Sequence, residues 1–203
     1  LKRLGILLSG RGSNFLAIAE AIRQRRLNGV EIAVVLSNKA DAQGLRMAAE
    51  LGLNAIAVPS AGRKRTDHDA EMMAQLHHHR VDLVCLAGYM RILTPAFVRA
   101  FPDRILNVHP ALLPAFPGLD AQAQALEFGV KVAGCTVHFV DEAVDHGAVV
   151  LQRTVPVHDD DSVESLSARI LAQEHIAYPE AIARVASGEY MLRGRRYVRS
   201  SAG

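Results

Sequence analysis

Residues 4–14, Leu4-Gly5-Ile6-Leu7-Leu8-Ser9-Gly10-Arg11-Gly12-Ser13-Asn14, carry an apolar run of strand length into a glycine loop that opens a helix. Further runs of that length lie at 31–36, 54–58, 81–87 and 104–108, and helix-like segments at 13–26, 43–51, 67–79 and 95–100 fill the gaps between them. Thr94 is placed to cap the last of these, with Pro95 at its first helical position. Strands alternating with helices, and apolar along their whole length instead of at every second residue, predict an α/β fold with a mostly parallel, twisted sheet covered by helices on both faces. After residue 117 the pattern changes. A helix at about 120–128 precedes two long apolar runs, 131–140 and 147–157, and a helix over 162–187 begins at Asp161-Ser162 with Glu164 in its first turn. Residues 190–198 read as a small hairpin turning at Gly194.

At 203 residues the chain is long enough to bury a core and is expected to form a single domain. Half its residues are hydrophobic and the formal net charge is +2, so nothing demands a nucleic-acid partner. The basic clusters, Arg23-Gln24-Arg25-Arg26 and Arg193, Arg195, Arg196 and Arg199, read as solvated surfaces. Cys85 and Cys135 both lie in apolar runs, where cysteine serves as a small hydrophobe, and no disulfide is expected. The opening apolar run is too short, and too soon interrupted by Ser9-Gly10, for a signal peptide or a membrane span. A cytoplasmic protein acting on small molecules, with no membrane partner, is the expectation.

The densest chemistry lies in residues 107–116, Asn107-Val108-His109-Pro110-Ala111-Leu112-Leu113-Pro114-Ala115-Phe116. Asn107 and His109 are two apart at the carboxyl end of a strand, so they project to one face where open α/β sheets bind ligands. Pro110 and Pro114 stiffen the loop that follows. An amide donor beside an imidazole suits attack on a carbonyl, the amide holding an oxyanion and the imidazole moving a proton. An ordinary turn asparagine and a hydrogen-bonded loop histidine would look the same in sequence. Residues 136–147 supply carboxylates for such a histidine, and Asp145 is the leading candidate, with Asp141 and Glu142 more exposed by pattern. A carboxylate there would favour the imidazolium and orient the ring. His138 alternates with Val137 and Phe139 and reads as a packed or supporting residue.

The glycine loop Ser9–Asn14 offers backbone donors and a helix N-terminus to an anion. A dinucleotide fingerprint would need a third glycine where Phe15 stands and an acid near Ser37-Asn38-Lys39; both are missing. No lysine follows the glycines as in a nucleotide P-loop. A small phosphate monoester fits better, and a tight turn needing glycine for its geometry alone stays open. The run His77-His78-His79 does not converge on a metal, because consecutive helical residues turn about 100° apart. No metal is expected.

SGRGSN at 9–14, LSNKADAQGL at 36–45, LAGYMRIL at 86–93, NVHPALLPAFPG at 107–118, HFVDEAVDHG at 138–147 and QEHIAYP at 173–179 together resemble the folate-dependent phosphoribosylglycinamide formyltransferases. The segment at 107–114 alone is shared with methionyl-tRNA formyltransferases and formyltetrahydrofolate hydrolases. The expected additions of those relatives, a C-terminal barrel or an N-terminal regulatory domain, are not read in this chain. The resemblance implies a Rossmann-like formyltransferase fold, with 1–103 as a phosphate-binding half and 104–203 as a catalytic and folate-binding half.

It also implies the reaction: transfer of the formyl group of 10-formyltetrahydrofolate to the amine of 5-phosphoribosylglycinamide, in purine synthesis. Asn107, His109 and Asp145 would be the catalytic set. Gly12, Ser13 and Asn14 would hold the ribonucleotide phosphate, and Leu171, Ala172, Gln173 and chiefly Glu174 its ribose. The folate would contact Arg65, Met90, Arg91, Ile92, Leu93, Asn107 and the loop Asp141, Glu142, Ala143, Val144 and Asp145. Hydrolysis of the folate, or a catalytically silent binding module, are the alternatives, and a monomer or homodimer is left open. The chain departs from the family pattern at Ala111, where serine is usual, at Asp120, where histidine is common, and at His146-Gly147-Ala148, in place of a frequent Gly-Gly-Pro.

Overall fold

Leu4, Ile6, Leu7 and Leu8 are wholly buried in β1 (Lys2–Leu8), as a strand covered on both faces requires. The computed structural model describes residues 1–200, in two units that divide between Asn107 and Val108. In the first unit β1 is followed by α1 (Ser13–Arg23), β2 (Val30–Ser37), α2 (Gln43–Glu50), β3 (Ala55–Ala57), α3 (Arg65–His78), β4 (Leu83–Leu86), α4 (Pro95–Ala100) and β5 (Ile105–His109), the last of which runs across the division. The strands pair in the order β3-β2-β1-β4-β5, and every pairing is parallel. The α/β class and the parallel sheet expected from the apolar runs are what this unit forms.

Two helix ends differ from the sequence expectation by two residues or more. α1 stops at Arg23 instead of 26, because Arg25 enters the left-handed region (φ +57) and the Arg25 and Arg26 amides turn back to Ile22 and Ala21 carbonyls. This pair of bonds is a Schellman cap, formed here without the usual glycine. α3 begins at Arg65, two residues earlier than expected, with Lys64 as its N-cap.

The second unit holds α5 (Ala121–Phe128), β6 (Val132–Phe139), β7 (Val149–Pro156), α6 (Val163–Ser187), β8 (Tyr190–Arg193) and β9 (Arg196–Arg199). β6 and β7 are antiparallel, β8 and β9 form the expected hairpin, and β9 meets β7 in parallel at a single pair, Val149 with Arg196. α6 packs on β6 and β7 through Leu166, Ile170, Ala177, Tyr178, Ala181 and Ile182, the spacing of one helix face.

Its start is fixed by a capping box in which the Ser162 hydroxyl accepts from the Ser165 amide and the Ser165 hydroxyl accepts from the Ser162 amide. Asp161 accepts both Arg169 guanidinium donors at 2.8 Å, and this pairing holds its carboxyl well below the usual carboxylate range. Among the described residues no helix is long and apolar enough to cross a membrane.

Candidate active site

Asn107 and His109 lie on the last turn of the ladder in β5, where Asn107 is in register with Leu86 of β4. Being two residues apart on an extended strand, they share a face. His109 is buried, and both its ring nitrogens meet acceptors. Nδ1 stands 3.4 Å from Asp145 Oδ2, and Nε2 is 2.8 Å from the Phe116 carbonyl. A carbonyl can only accept, so Nε2 carries a proton, while Nδ1 stands within ion-pair distance of the carboxylate.

Asp145 reaches this ring from the loop between β6 and β7, in the left-handed region at φ +50. Its Oδ2 also accepts the Gly118 amide at 2.8 Å, and its Oδ1 lies 3.7 Å from His138 Nε2. His138 Nδ1 donates to the Phe139 carbonyl at 2.8 Å. Burial pushes the His138 imidazole downward, against the opposing pull of the Phe139 carbonyl and the Asp145 charge. One carboxylate thus stands between two buried histidines, of which His138 favours its neutral form.

The loop after His109 is pinned by residues that sequence reasoning missed. The wholly buried Thr136 hydroxyl donates to the Ala111 carbonyl at 2.7 Å and accepts from the Leu113 amide at 3.0 Å and Gln152 Nε2 at 3.0 Å. Gln152 Nε2 also donates to the Leu113 carbonyl, and the Leu113-Pro114 peptide is cis. The only signal in sequence was a threonine inside an otherwise apolar run. Ala111, the departure from the family's serine, has its side chain buried in this pinned loop. Asp120, the other flagged departure, is exposed at φ +54 before α5 and makes no side-chain cap.

In the first unit the loops at the carboxyl ends of β1, β3 and β4 carry the expected binding residues, as the rule for open α/β sheets requires. Gly12 is the N-cap of α1 at φ +75, and a side chain there would bring its Cβ to 2.7 Å from Gly44 Cα. The Gly44 amide donates to the Gly10 carbonyl at 2.9 Å, so the glycines let the loop lie directly on the start of α2. Ser13 and Asn14 open α1, with Asn14 buried. Close packing and anion binding therefore coexist as explanations of these glycines.

The segment Met90–Leu93 is tied to that loop. The Met90 amide donates to the Ser9 hydroxyl at 2.9 Å, and this hydroxyl donates to Asn38 Oδ1, whose amide in turn reaches Ser60. Met90 and Ile92 are exposed, Arg91 is half-buried and Leu93 is buried. The far end of the segment is held by Asp69, buried on α3, which accepts the Thr94 amide at 2.7 Å. Burial and the Asp69 charge push the Tyr89 hydroxyl far up. Arg65 is exposed at the first position of α3.

In the second unit Asp141 is half-buried and Glu142, Ala143 and Val144 are exposed on the Asp145 loop. Leu171, Ala172, Gln173 and Glu174 occupy a full turn of α6, so their side chains point in different directions; Glu174 is the buried one. Burial, with the Glu174 charge behind it, pushes the Cys135 thiol up to about 12. His77 stacks on Phe101 and the His79 carbonyl accepts from Arg3, so the histidine run serves packing and capping at the end of α3.

A parallel α/β unit with the amide and imidazole at a strand end, and an acidic loop reaching the imidazole, define a class. The Formyl transferase family matches residues 2–182, and the chain belongs to that family. It is 44% identical over 188 residues to phosphoribosylglycinamide formyltransferase of Escherichia coli (strain K12), covering 92% of this chain and 88% of the relative. It is 46% identical over 193 residues to the trifunctional purine biosynthetic protein adenosine-3 of Chironomus tentans, covering 94% of this chain and 14% of that protein. The chain spans less than a fifth of the length of the trifunctional relatives it matches. The crystal structure of glycinamide ribonucleotide transformylase 1 from Symbiobacterium toebii superposes with a TM-score of 0.94 at 52% identity, covering 98% of this chain and 94% of that one.

Proposed function

We propose that the chain transfers the formyl group of 10-formyltetrahydrofolate to the amine of 5-phosphoribosylglycinamide, in the cytoplasm and in purine synthesis. The observation that carries this reading is the buried His109 ring, held by the Phe116 carbonyl at one nitrogen and facing the Asp145 carboxylate with the other, two residues along the strand from Asn107. It is supported by the likeness to proteins named for this reaction over nearly the whole chain.

The reading assigns each residue a task. Gly12, Ser13 and Asn14 hold the phosphate with backbone donors at the start of α1. Glu174, within the 171–174 turn, takes the ribose hydroxyls. Exposed Met90 and Ile92 offer a pterin ring an apolar seat, Arg65 offers a charge partner for a carboxylate tail, and the loop 141–145 supplies further folate contacts. The acceptor amine forms a C–N bond to the formyl carbon, and the carbonyl electrons move to oxygen.

Asn107 Nδ2 and the His109 imidazolium stabilise this oxyanion, the term that dominates such reactions. Asp145 keeps His109 charged and, through water, carries the amine's proton to the departing folate nitrogen as the old C–N bond breaks. None of these steps calls on a metal.

A spectrophotometric assay of folate deformylation, run with and without the ribonucleotide, tests the proposal. Turnover that requires the ribonucleotide supports transfer. Turnover without it makes water the acceptor and the protein a hydrolase, and no turnover in either leaves a binding module. Asn107→Ala is expected to slow transfer by about 100-fold or more, the cost of one oxyanion donor.

A further inference from the structure

The loop that carries Asp145 is held from outside by the C-terminal hairpin. At the tip of that hairpin, just past Gly194 at φ +60, Arg195 reaches the loop: its Nη2 donates to the His146 backbone carbonyl, and its Nη1 lies 3.4 to 3.5 Å from the His146 ring nitrogens. His146 Nδ1 meets Asp141 Oδ2 at 2.7 Å, and Asp141 Oδ1 accepts the Ala143 amide at 2.9 Å. Arg195, His146 and Asp141 therefore tie the two ends of the loop to each other and to the hairpin.

Two further contacts keep the hairpin tip in place. The Tyr197 ring packs edge-on against Phe139 at 5.2 Å, and Arg196 pairs with Val149. Just after His146 the backbone has no slack, since a Cβ on Gly147 would fall 1.7 Å from the Phe139 carbonyl oxygen. Immediately before the bound His146 and this fixed glycine stands Asp145 at φ +50, in the left-handed region.

We propose that Arg195 is a positioning residue for the reaction: by binding His146 it sets where the loop presents the Asp145 carboxylate to His109. This rests on the formyl-transfer reading for its activity arm only. The guanidinium suits the task because a planar fork can meet a carbonyl and a ring together, which the point charge of lysine does less well. A carboxylate displaced by about 1 Å costs an enzyme of the order of 100-fold in rate, so even partial loosening is measurable.

The test combines Arg195→Ala and Arg195→Lys with Asp145→Asn in the full chain, reading kcat, both KM values, the urea midpoint and amide hydrogen exchange over 141–147. Arg195→Ala is expected to lower kcat about tenfold, about 1.4 kcal/mol in the barrier. Ribonucleotide KM and the urea midpoint should stay unchanged, exchange in the loop should accelerate, and lysine should recover part of the rate. In the Asp145→Asn background the arginine should be worth less than about twofold, because its effect passes through the carboxylate.

A wild-type kcat in Arg195→Ala, an equal tenfold loss in the Asp145→Asn background, or unchanged exchange in the loop would each overturn the proposal. If the unaltered chain transferred no formyl group while Arg195→Ala still accelerated exchange in the loop, the clasp would stand and the functional reading would fall.

Discussion

Replacing Asp145 by asparagine removes a charge and almost nothing else. The amide oxygen can take the place of Oδ2, accepting the Gly118 amide at 2.8 Å and the His109 Nδ1 proton as before. The amide nitrogen then faces the His138 ring, whose Nδ1 donates to Phe139. Every hydrogen bond is kept, so the fold should be too.

The missing charge stood 3.4 Å from His109. At an effective dielectric near 20 that separation corresponds to about 5 kcal/mol of attraction for the imidazolium. The amide dipole and partial solvent access return some of it, leaving about 3–4 kcal/mol. With that much less stabilisation of positive charge on the ring in the transition state, kcat should drop by about 100- to 1,000-fold. Steady-state formyl transfer, with circular dichroism and a urea midpoint to show an intact fold, measures it. A loss of less than tenfold in a folded variant would refute the pairing of Asp145 with His109 in the reaction.

Thr136→Val leaves the Leu113 amide and the Ala111 carbonyl buried without partners, at about 1–3 kcal/mol each. Calorimetry should show Tm lower by roughly 6–12 °C; a loss below about 2 °C would mean the loop repacks. Burial holds His138 below its ordinary value in the folded state, with His79 and His175 shifted the same way. The unfolded chain therefore binds more protons once pH falls below about 6.5, and stability should decline through that window. His138→Gln should flatten the decline when urea midpoints are compared between about pH 7.5 and 5, and parallel curves would contradict the assignment. Arg25→Gly, at the left-handed residue that ends α1, should raise stability by about 0.5–1 kcal/mol by removing a Cβ clash. A lower urea midpoint would show that the arginine side chain contributes more than its backbone costs.

Much of the first unit was legible because strands buried on both faces must be apolar throughout, as Leu4–Leu8 and Leu83–Leu86 are. Element ends were less so. α1 overran because the stop is Arg25, a residue whose type says nothing about a left-handed backbone, and only the two bonds back to Ile22 and Ala21 reveal it. The Thr94 cap was legible because a cap and its helix are local in sequence; its side chain accepts the Phe97 amide as the Thr-Pro pair suggested.

The candidate site divides in the same way. The pairing of Asn107 with His109 needs only the two-residue period of a strand, and the glycines at 10 and 12 announce a tight turn by composition. The loop bonds of Thr136 and Gln152, the link from Ser9 to Asn38 and Met90, and the hold of Asp69 on Thr94 join residues 16 to 81 apart. No pattern along the chain marks such partners, because a hydroxyl or carboxylate is equally at home in water until folding removes the water.

The sequence by itself determined the α/β class, the strand that carries the amide and imidazole, and, by resemblance, the family, since each depends on local periodicity or on runs of residues held together by covalent order. The tertiary structure alone decided that the buried His109 ring bonds the Phe116 carbonyl, that Asp145 stands between His109 and His138, and that Arg195 reaches the loop carrying it. Protonation and aim follow from which acceptors burial brings within about 3 Å of a donor, and that distance is fixed only when the chain has closed on itself.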